Sequence, residues 1–167
     1  MTDTDFRPDD VHGADVLREL LEDATRVHVD ARVIGYHLVA DPRYLELTRL
    51  LFSGLRSGKI RAQTSAVTLY QVLAELHRQA QPERAREIGK ILTIHPGLEV
   101  LPVTAEVAEQ AAQVRAQLGG RAERALQIAT ALISGAELYL TEHSGLRRIV
   151  GMSVVNLESF ASGVPSP

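Results

Sequence analysis

Apolar residues recur along most of this chain three or four positions apart, the spacing that places them on one face of an amphipathic helix. This periodicity predicts six helices, the fourth of them over residues 82–94. The predicted inward-facing residues are Leu17, Leu20, Leu21 and Ala24 in the first helix; Leu47, Leu50, Leu51 and Leu55 in a helix over 42–57; Leu69, Val72, Leu73 and Leu76 in the third; Val107, Ala111, Val114 and Leu118 in the fifth; and Ala125, Ala129, Leu132 and Ile133 in a helix over 121–134. Ser65 or Thr68 is expected to cap the third helix and Thr104 the fifth.

Short apolar runs separate the predicted helices and indicate β-strands. Five such runs are present: Val27–Val29, Ile60–Thr64, Leu98–Leu101, Leu138–Leu140 and Ser153–Val155. Strands that alternate with helices form a parallel sheet, so we predict an α/β fold with three layers, α/β/α, and about five strands. In such a sheet the functional site lies beyond the carboxyl ends of the strands, near a reversal of strand order. This rule directs attention to Asp30, after the first strand, and to Thr141, Glu142 and His143, after the fourth.

The composition of the 167 residues is that of one folded domain with an aliphatic core, since hydrophobic residues make up 45% and aromatic residues only 4%. The scarcity of aromatic side chains argues against a base-stacking platform for nucleic acid. The chain contains no cysteine, which excludes disulfides, a cysteine-ligated zinc and a thiol nucleophile. We expect an acidic arm and a short helix over 1–24, with the first dozen residues unstructured, one domain over 25–160, and a frayed tail over 161–167.

Charge is unevenly distributed along the chain, although the formal net charge is only −3. Residues 1–24 contain eight acids and two arginines and carry −6, which leaves +3 for the remainder. A mildly positive charge of this kind can favour binding to nucleic acid, but it is also common in proteins that do not bind nucleic acid. No apolar run approaches the roughly 20 residues needed to cross a bilayer, and the acidic N-terminus is unlike a signal peptide. We therefore expect a cytoplasmic protein without a membrane partner.

Four segments resemble, in order and spacing, the motifs of one known family, the PIN domains. In the first, Val27–Ile34, an apolar strand is followed by Asp30 and an apolar helix; the others are Thr64–Leu73, Ala125–Leu132 and Leu138–His143. The resemblance covers roughly residues 26–157. It implies the family's α/β/α fold and its activity, that of Mg²⁺- or Mn²⁺-dependent ribonucleases, many of which are VapC-type toxins paired with antitoxins.

The chemistry of this family needs three or four carboxylates that converge on one or two hard divalent cations. The resemblance places these acids at Asp30, Gln71, Arg124 and His143, so only the first position is still acidic. The charge of the cluster thereby changes from about −4 to about zero, and a hard cation loses most of its Coulomb attraction to the site. We expect no bound metal ion, with Mg²⁺ or Mn²⁺ as the alternative.

Neighbouring acids keep that metal-binding alternative open. Glu75 shares a helical face with the second acid position, and Glu142 follows the fourth strand, so these two residues and Asp30 could together hold a cation. A shift of the last two motifs by one residue would instead supply Glu123 and Glu142, although it would put the apolar pattern out of phase.

Each of these residues also has a purely structural interpretation. Asp30 is well placed to cap the helix that follows it, Arg124 to be an exposed residue in a first helical turn, and His143 to be a turn residue. The histidines of the chain have no spacing that is typical of a transition-metal site.

The favoured hypothesis is a PIN-like domain that has lost metal-dependent nuclease activity and serves as a binding or structural module. We expect it to be a homodimer that binds RNA or a small protein partner. One alternative is an active Mg²⁺- or Mn²⁺-dependent single-stranded ribonuclease of the VapC type. The other is a nucleic-acid-binding domain without catalysis, whose contacts would be Arg32, Arg124, Arg147 and Arg148. The expected binding residues around the four acid positions are Arg32, Glu75, Thr141 and Glu142. Arg124 is expected to occupy the space that a metal would take and to pair with Asp30.

Overall fold

The structure, a computed structural model, describes residues 13–161. Its helices are α1 (Gly13–Asp23), α2 (Ala31–Leu38), α3 (Leu45–Ser57), α4 (Ala66–Arg78), α5 (Pro82–Ile94), α6 (Ala105–Leu118) and α7 (Ala122–Ile133). Its strands are β1 (Val27–Val29), β2 (Ala62–Ser65), β3 (Leu98–Leu101), β4 (Leu138–Thr141) and β5 (Ser153–Asn156), and a 3₁₀ helix, Leu157–Phe160, follows the last strand. The expected unstructured first dozen residues and, apart from Ala161, the expected frayed tail lie outside the described residues. No helix between residues 13 and 161 is both long and apolar enough to cross a membrane.

The five strands form one all-parallel sheet with the order β3-β2-β1-β4-β5. The central strand is β1, whose Val27 lies beside Ala62 of β2 on one side and Leu138 of β4 on the other. Chain order therefore reverses between β1 and β4, and the ends of these two strands lie at the switch point where open parallel sheets build their sites. The predicted α/β/α fold is confirmed.

Helices cover both faces of the sheet and bury two aliphatic clusters. One cluster joins helices α1 to α5 to the face of β1 that carries Val27 and Val29. The other joins α6 and α7 to Tyr139 of β4 and to the loop before β5. Because both faces are covered, every residue of β1 is buried, including His28 on the face opposite the two valines.

Two helix beginnings test the boundary predictions. The helix expected over 42–57 begins only at Leu45, because the carboxylate of Asp41 accepts a hydrogen bond from the backbone N–H of Arg43 (3.0 Å) and holds the preceding residues in a turn. The cap predicted at Thr104 is confirmed, since its side chain accepts a hydrogen bond from the first turn of α6.

The second strand and the cap that follows it differ slightly from expectation. The strand covers Ala62–Ser65 rather than Ile60–Thr64, because pairing with β1 and β3 starts at residue 62. Of the two possible caps of α4, Ser65 is the correct one, and its hydroxyl accepts a hydrogen bond from the backbone N–H of Val67 (3.2 Å). Thr68 lies within the helix and is buried.

Three apolar side chains that were predicted to face inward are exposed, namely Leu20, Leu118 and Ile133. Helix α1 buries only a narrow stripe that contains Leu17 and Leu21, so Leu20 lies beside that stripe rather than in it. Leu118 and Ile133 lie in the last turns of α6 and α7, where they line a surface groove. Periodicity alone does not show how wide a stripe the neighbouring elements cover.

Candidate functional site

Asp30 is the first residue after β1 and forms the N-cap of α2. Its Oδ1 accepts a hydrogen bond from the backbone N–H of Arg32 (3.1 Å). Its Oδ2 accepts from the hydroxyl of Thr141 (2.8 Å) and from that of Tyr139 (3.4 Å). Burial, and then the charge of Asp30, raise the pKa of the Tyr139 hydroxyl, which therefore remains a donor. The carboxylate is both a helix cap and a tie across the switch point to β4.

A cleft of about 110 Å³ opens beside Asp30 at the carboxyl ends of β1 and β4. All four residues that the resemblance places at the family's acid positions line it: Asp30, Gln71, Arg124 and His143. They come from the β1–α2 junction, from α4, from the first turn of α7 and from the loop after β4. The other polar residues of its walls are Arg32, Arg121, Glu123 and Gln127.

Gln127 of α7 connects three walls of the cleft, and it is a site residue that the sequence reasoning missed. Its Oε1 accepts hydrogen bonds from the backbone N–H of Ala31 (3.3 Å) and from the hydroxyl of Thr68 (3.2 Å). Its Nε2 donates to Oε1 of Gln71 (2.6 Å). The available signal was a polar residue within the largely apolar segment Ala125–Leu132, and such a residue, when buried, needs partners.

Further polar pairs continue from Gln127 along the buried side of α7. The hydroxyl of Thr130 donates to that of Ser65 (3.1 Å), and the amide of Gln63 donates to the hydroxyl of Ser134. We call Gln127, Thr130 and Ser134, with their partners on β2 and α4, the polar seam. Because its hydrogen bonds need specific partners, the polar seam fixes the position of α7 on β2 more strictly than apolar packing would.

Arg124 and His143 contact one another at the cleft. A guanidinium N–H of Arg124 donates toward Nε2 of His143, and Nδ1 of the same ring faces the backbone N–H of Gly145 (3.1 Å). The backbone N–H of His143 donates to the hydroxyl oxygen of Thr141 (3.1 Å), which shapes the loop after β4. The expected ion pair between Arg124 and Asp30 is therefore wrong. Both oxygens of Asp30 are bound by residues of α2 and β4, and Arg124 binds the loop instead.

Of the three acids suggested as substitute ligands, Glu75 and Glu142 do not line the cleft, whereas Glu123 does. Glu142 Oε2 accepts hydrogen bonds from Arg32 (2.7 Å) and from the hydroxyl of Tyr36 (3.0 Å), and the first of these raises the pKa of the Arg32 guanidinium. Glu75 is exposed, and hydrogen bonds from Arg78, at 2.5 and 2.8 Å, lower the pKa of its carboxyl to about 2. Glu142 is thus held by Arg32, a residue of the cleft wall, and Glu75 by Arg78, which lies outside the cleft.

The donor set of the cleft does not fit a hard divalent cation. Its two carboxylates, Asp30 and Glu123, share the walls with three guanidinium groups, those of Arg32, Arg121 and Arg124. Glu123 is bound by its own backbone N–H, which lowers the pKa of its carboxyl, and by Arg121 (3.2 Å). Mg²⁺ and Mn²⁺ bind to oxygen ligands, and adjacent guanidinium groups oppose the negative charge that attracts these cations. Between residues 13 and 161, no three histidine, aspartate or glutamate residues are grouped so that they could hold a metal ion.

The fold and the site together define the class of protein: an all-parallel α/β/α domain with a polar cleft at the switch point of its sheet. A family model for the PIN domain matches residues 27–151. The chain belongs to the PIN domain family. A search by sequence among curated proteins finds no match.

Solved structures with the same fold include proteins of the VapC type. DNA-bound VapBC from Salmonella typhimurium superposes with a TM-score of 0.62 at 20% identity, over 79% of this chain and 98% of that one. A toxin–antitoxin complex from Klebsiella pneumoniae gives 0.58 at 16% identity, over 78% and 97%. VapC20 from Mycobacterium tuberculosis, a sarcin-ricin loop cleaving toxin, gives 0.56 at 18%, over 68% and 86%. At identities this low, the structural likeness shows a shared fold alone.

His28 lies in the central strand and supports the site from within the core. Its ring stacks on that of Tyr139, with 5.2 Å between centroids and 7° between planes. Neither ring nitrogen has a hydrogen-bond partner in the described part of the chain, and burial lowers the pKa of His28 to about 3. The ring is therefore neutral near pH 7, and it packs against the tyrosine whose hydroxyl donates to Asp30.

We expect His28 to make the fold acid-sensitive. The pKa of His28 in the folded protein, about 3, lies below that of an unfolded histidine, 6.5, so the unfolded chain binds more protons as the pH falls. The contribution of His28 to stability is complete above pH 6.5, and it falls by up to about 1.4 kcal/mol per pH unit as the pH decreases toward 3. Urea denaturation between pH 7.5 and 5 should show a smaller pH slope in His28→Phe. The exposed control His77→Gln should keep the native slope; equal slopes in native protein and His28→Phe would contradict this assignment.

A matched pair of variants tests Gln127. Gln127→Leu leaves the N–H of Ala31 and the hydroxyl of Thr68 without their acceptor, so we expect the free energy of unfolding to fall by at least about 2 kcal/mol. Gln71→Leu removes only one acceptor at a half-buried position that water reaches, and should cost less than about 1 kcal/mol. Urea denaturation followed by circular dichroism measures both values. Losses of equal size would mean that Gln127 does not connect the walls of the cleft.

Proposed function

We propose that this PIN domain acts by binding RNA rather than by metal-dependent cleavage. The observation that carries the proposal is the charge of its cleft. Of the four family acid positions only Asp30 is acidic, and its oxygens are bound by its neighbours. The other three positions hold two uncharged side chains, Gln71 and His143, and the cation Arg124. Guanidinium and amide donors of this kind suit the phosphate oxygens of a nucleic acid.

The competing function is the family's own, a Mg²⁺- or Mn²⁺-dependent single-stranded ribonuclease. The fold shared with VapC20, which is described as a cleaving toxin, is the observation in its favour. In this chain such an activity would depend on Asp30 and Glu123, the two carboxylates that line the cleft.

A small protein partner is part of the proposal. One structural neighbour is a toxin–antitoxin complex, and another is DNA-bound VapBC. Next to the cleft lies an apolar groove of about 250 Å³, formed by α2 and α4 and lined by Leu38, Val39, Val72 and Leu76. Val39 is 67% exposed. An amphipathic segment of a partner protein would cover this surface and thereby limit access to the cleft.

Metal and RNA titrations separate the two functions. We expect calorimetry with MnCl₂ to show no saturable binding, and single-stranded RNA to survive incubation with Mn²⁺ whether or not a chelator is present. RNA should bind with an affinity that falls steeply as the salt concentration rises, because phosphate contacts release counterions. Saturable Mn²⁺ binding together with chelator-sensitive cleavage would overturn the proposal and establish the ribonuclease.

A variant that rebuilds the acidic cluster serves as the positive control. The combination of Gln71→Glu, Arg124→Asp and His143→Asp should be less stable than the native protein without metal, because four carboxylates repel one another. Added Mn²⁺ should raise its melting temperature, by an amount equivalent to about 2.7 kcal/mol at one hundred times the dissociation constant. If Mn²⁺ raised the melting temperature of the native protein and not of this variant, the assignment of the four positions would be wrong.

We also propose that the protein is a homodimer. Three exposed apolar residues, Leu118, Ile133 and Val150, line a groove of about 810 Å³ on the α6–α7 side. Closed two-fold dimers are the commonest soluble assembly, and they bury surfaces of this kind. Light scattering should give twice the chain mass of 18.3 kDa, and Val150→Glu should shift the protein toward the monomer. A monomeric native protein at micromolar concentration would contradict this proposal.

A further inference from the structure

The ring of His143 faces a hydrogen-bond donor at each of its two nitrogens. Arg124 donates toward Nε2, and the backbone N–H of Gly145 points to Nδ1 at 3.1 Å. A guanidinium group has donors only, and a neutral imidazole has one N–H and one lone pair. Whichever tautomer the ring of His143 adopts, one of these two donors therefore points at the N–H of the ring instead of at its lone pair. Protonation of the ring would make both contacts unfavourable.

An acceptor in the cleft removes this conflict. With its lone pair at Nδ1, the ring of His143 accepts from the backbone of Gly145 and presents Nε2–H beside the guanidinium of Arg124. The two side chains then direct donors into the same space, and a ligand with several acceptor oxygens satisfies both of them. Gly145 keeps its contact in this arrangement, since its N–H is fixed by the backbone of the loop.

We propose that the cleft is a phosphate-binding site in which Arg124, His143 and Arg121 bind the phosphate oxygens, at the place where other PIN domains hold their metal ion. This site rests on the proposed function, because it assigns to the RNA-binding cleft the chemical group that the cleft recognises. Arg121 lines the same cleft, and its largely exposed side chain has the freedom to turn toward an anion.

The size and the charges of the cleft fit this ligand. Its volume of about 110 Å³ is enough for a tetrahedral oxyanion. Both carboxylates of the cleft have donors that the proposed site leaves in place, Asp30 from Thr141 and Glu123 from its own backbone. Neither carboxylate needs Arg124, which remains available for an anion.

A terminal phosphate suits these donors better than a phosphodiester of the RNA backbone. A phosphate monoester carries up to about two negative charges and three strong acceptor oxygens. A bidentate guanidinium and an imidazole N–H are together matched to three such oxygens. The shared chemistry is that of inorganic phosphate and of the phosphorylated end of an RNA.

Titrations at constant ionic strength test the site and separate its two sources of phosphate. Inorganic phosphate and AMP should each bind one per chain in calorimetry, and acetate should bind at least about tenfold more weakly, since it has fewer oxygens and less charge. Tighter binding of AMP than of inorganic phosphate assigns the site to a nucleotide end, and equal affinities assign it to phosphate as such. If neither inorganic phosphate nor AMP binds saturably, the proposal is overturned.

A pair of arginine variants locates the binding. Arg124→Gln should weaken phosphate binding at least about tenfold, because it removes a charged donor. Arg49→Gln makes the same change of charge at an exposed residue outside the cleft and should leave the affinity unchanged. Equal losses in the two variants would mean a general attraction of anions to the surface, and would overturn the site.

Nitrogen-15 NMR of the native protein gives a readout that does not depend on a variant's folding. Saturating phosphate should place the proton of His143 on Nε2, with Nδ1 as the acceptor from Gly145. The signal is assigned by its loss in His143→Gln. A proton that stays on Nδ1 at saturating phosphate would overturn the proposed geometry.

The two proposals fail separately. Mn²⁺-dependent cleavage of RNA by the native protein would remove the binding function. A protein that does not cleave RNA, binds RNA, and ignores phosphate and AMP would keep the binding function and lose only the phosphate site.

Discussion

The buried carboxylate of Asp30 is the group on which both the fold and the site depend. It caps α2 through the N–H of Arg32 and accepts a hydrogen bond from Thr141, while its own backbone N–H donates to the carbonyl of Leu140 (3.0 Å). Side chain and backbone thus join β1 to β4 at the switch point of the sheet. A buried charge is tolerated only with such partners, because an unpaired one costs several kcal/mol. Asp30 has this structural role whether or not the cleft binds a ligand.

The other three positions that the resemblance aligns with the family's acids carry side chains that attract different ligands from a cluster of carboxylates. Gln71 retains the length of an acidic side chain and becomes a partner of Gln127. Arg124 brings a positive charge to the first turn of α7, where the helix dipole is mildly unfavourable to a cation. Its guanidinium group contacts His143 in the loop after β4 rather than Asp30. The cleft therefore offers donors where a metal site would offer carboxylate oxygens.

The polar seam gives these side chains a fixed frame. Gln127 and Thr130 are buried, and each is bound to residues of other elements, so α7 has one favoured position over β2 and α4. Hydrogen bonds between buried groups have narrow geometric limits, and a shift of the helix would leave several of them without partners. This constraint holds Arg124, one turn before Gln127, at a defined place in the cleft.

The sequence by itself determined the three layers and the parallel sheet, because hydrophobic period and element order fix these features. For the same reason it determined that the residues directly after β1 and β4 lie close together at one edge of the sheet. It placed Asp30 and His143 in one cleft, with Gln71 and Arg124 brought in by the resemblance to PIN domains. The tertiary structure alone decided which of them touch. Gln127 binds Ala31 and Gln71 from 96 and 56 residues away, and Arg124 binds His143 rather than Asp30. Such choices depend on the position of α7 to within about an ångström, since a hydrogen bond weakens steeply outside its narrow range of distance and angle.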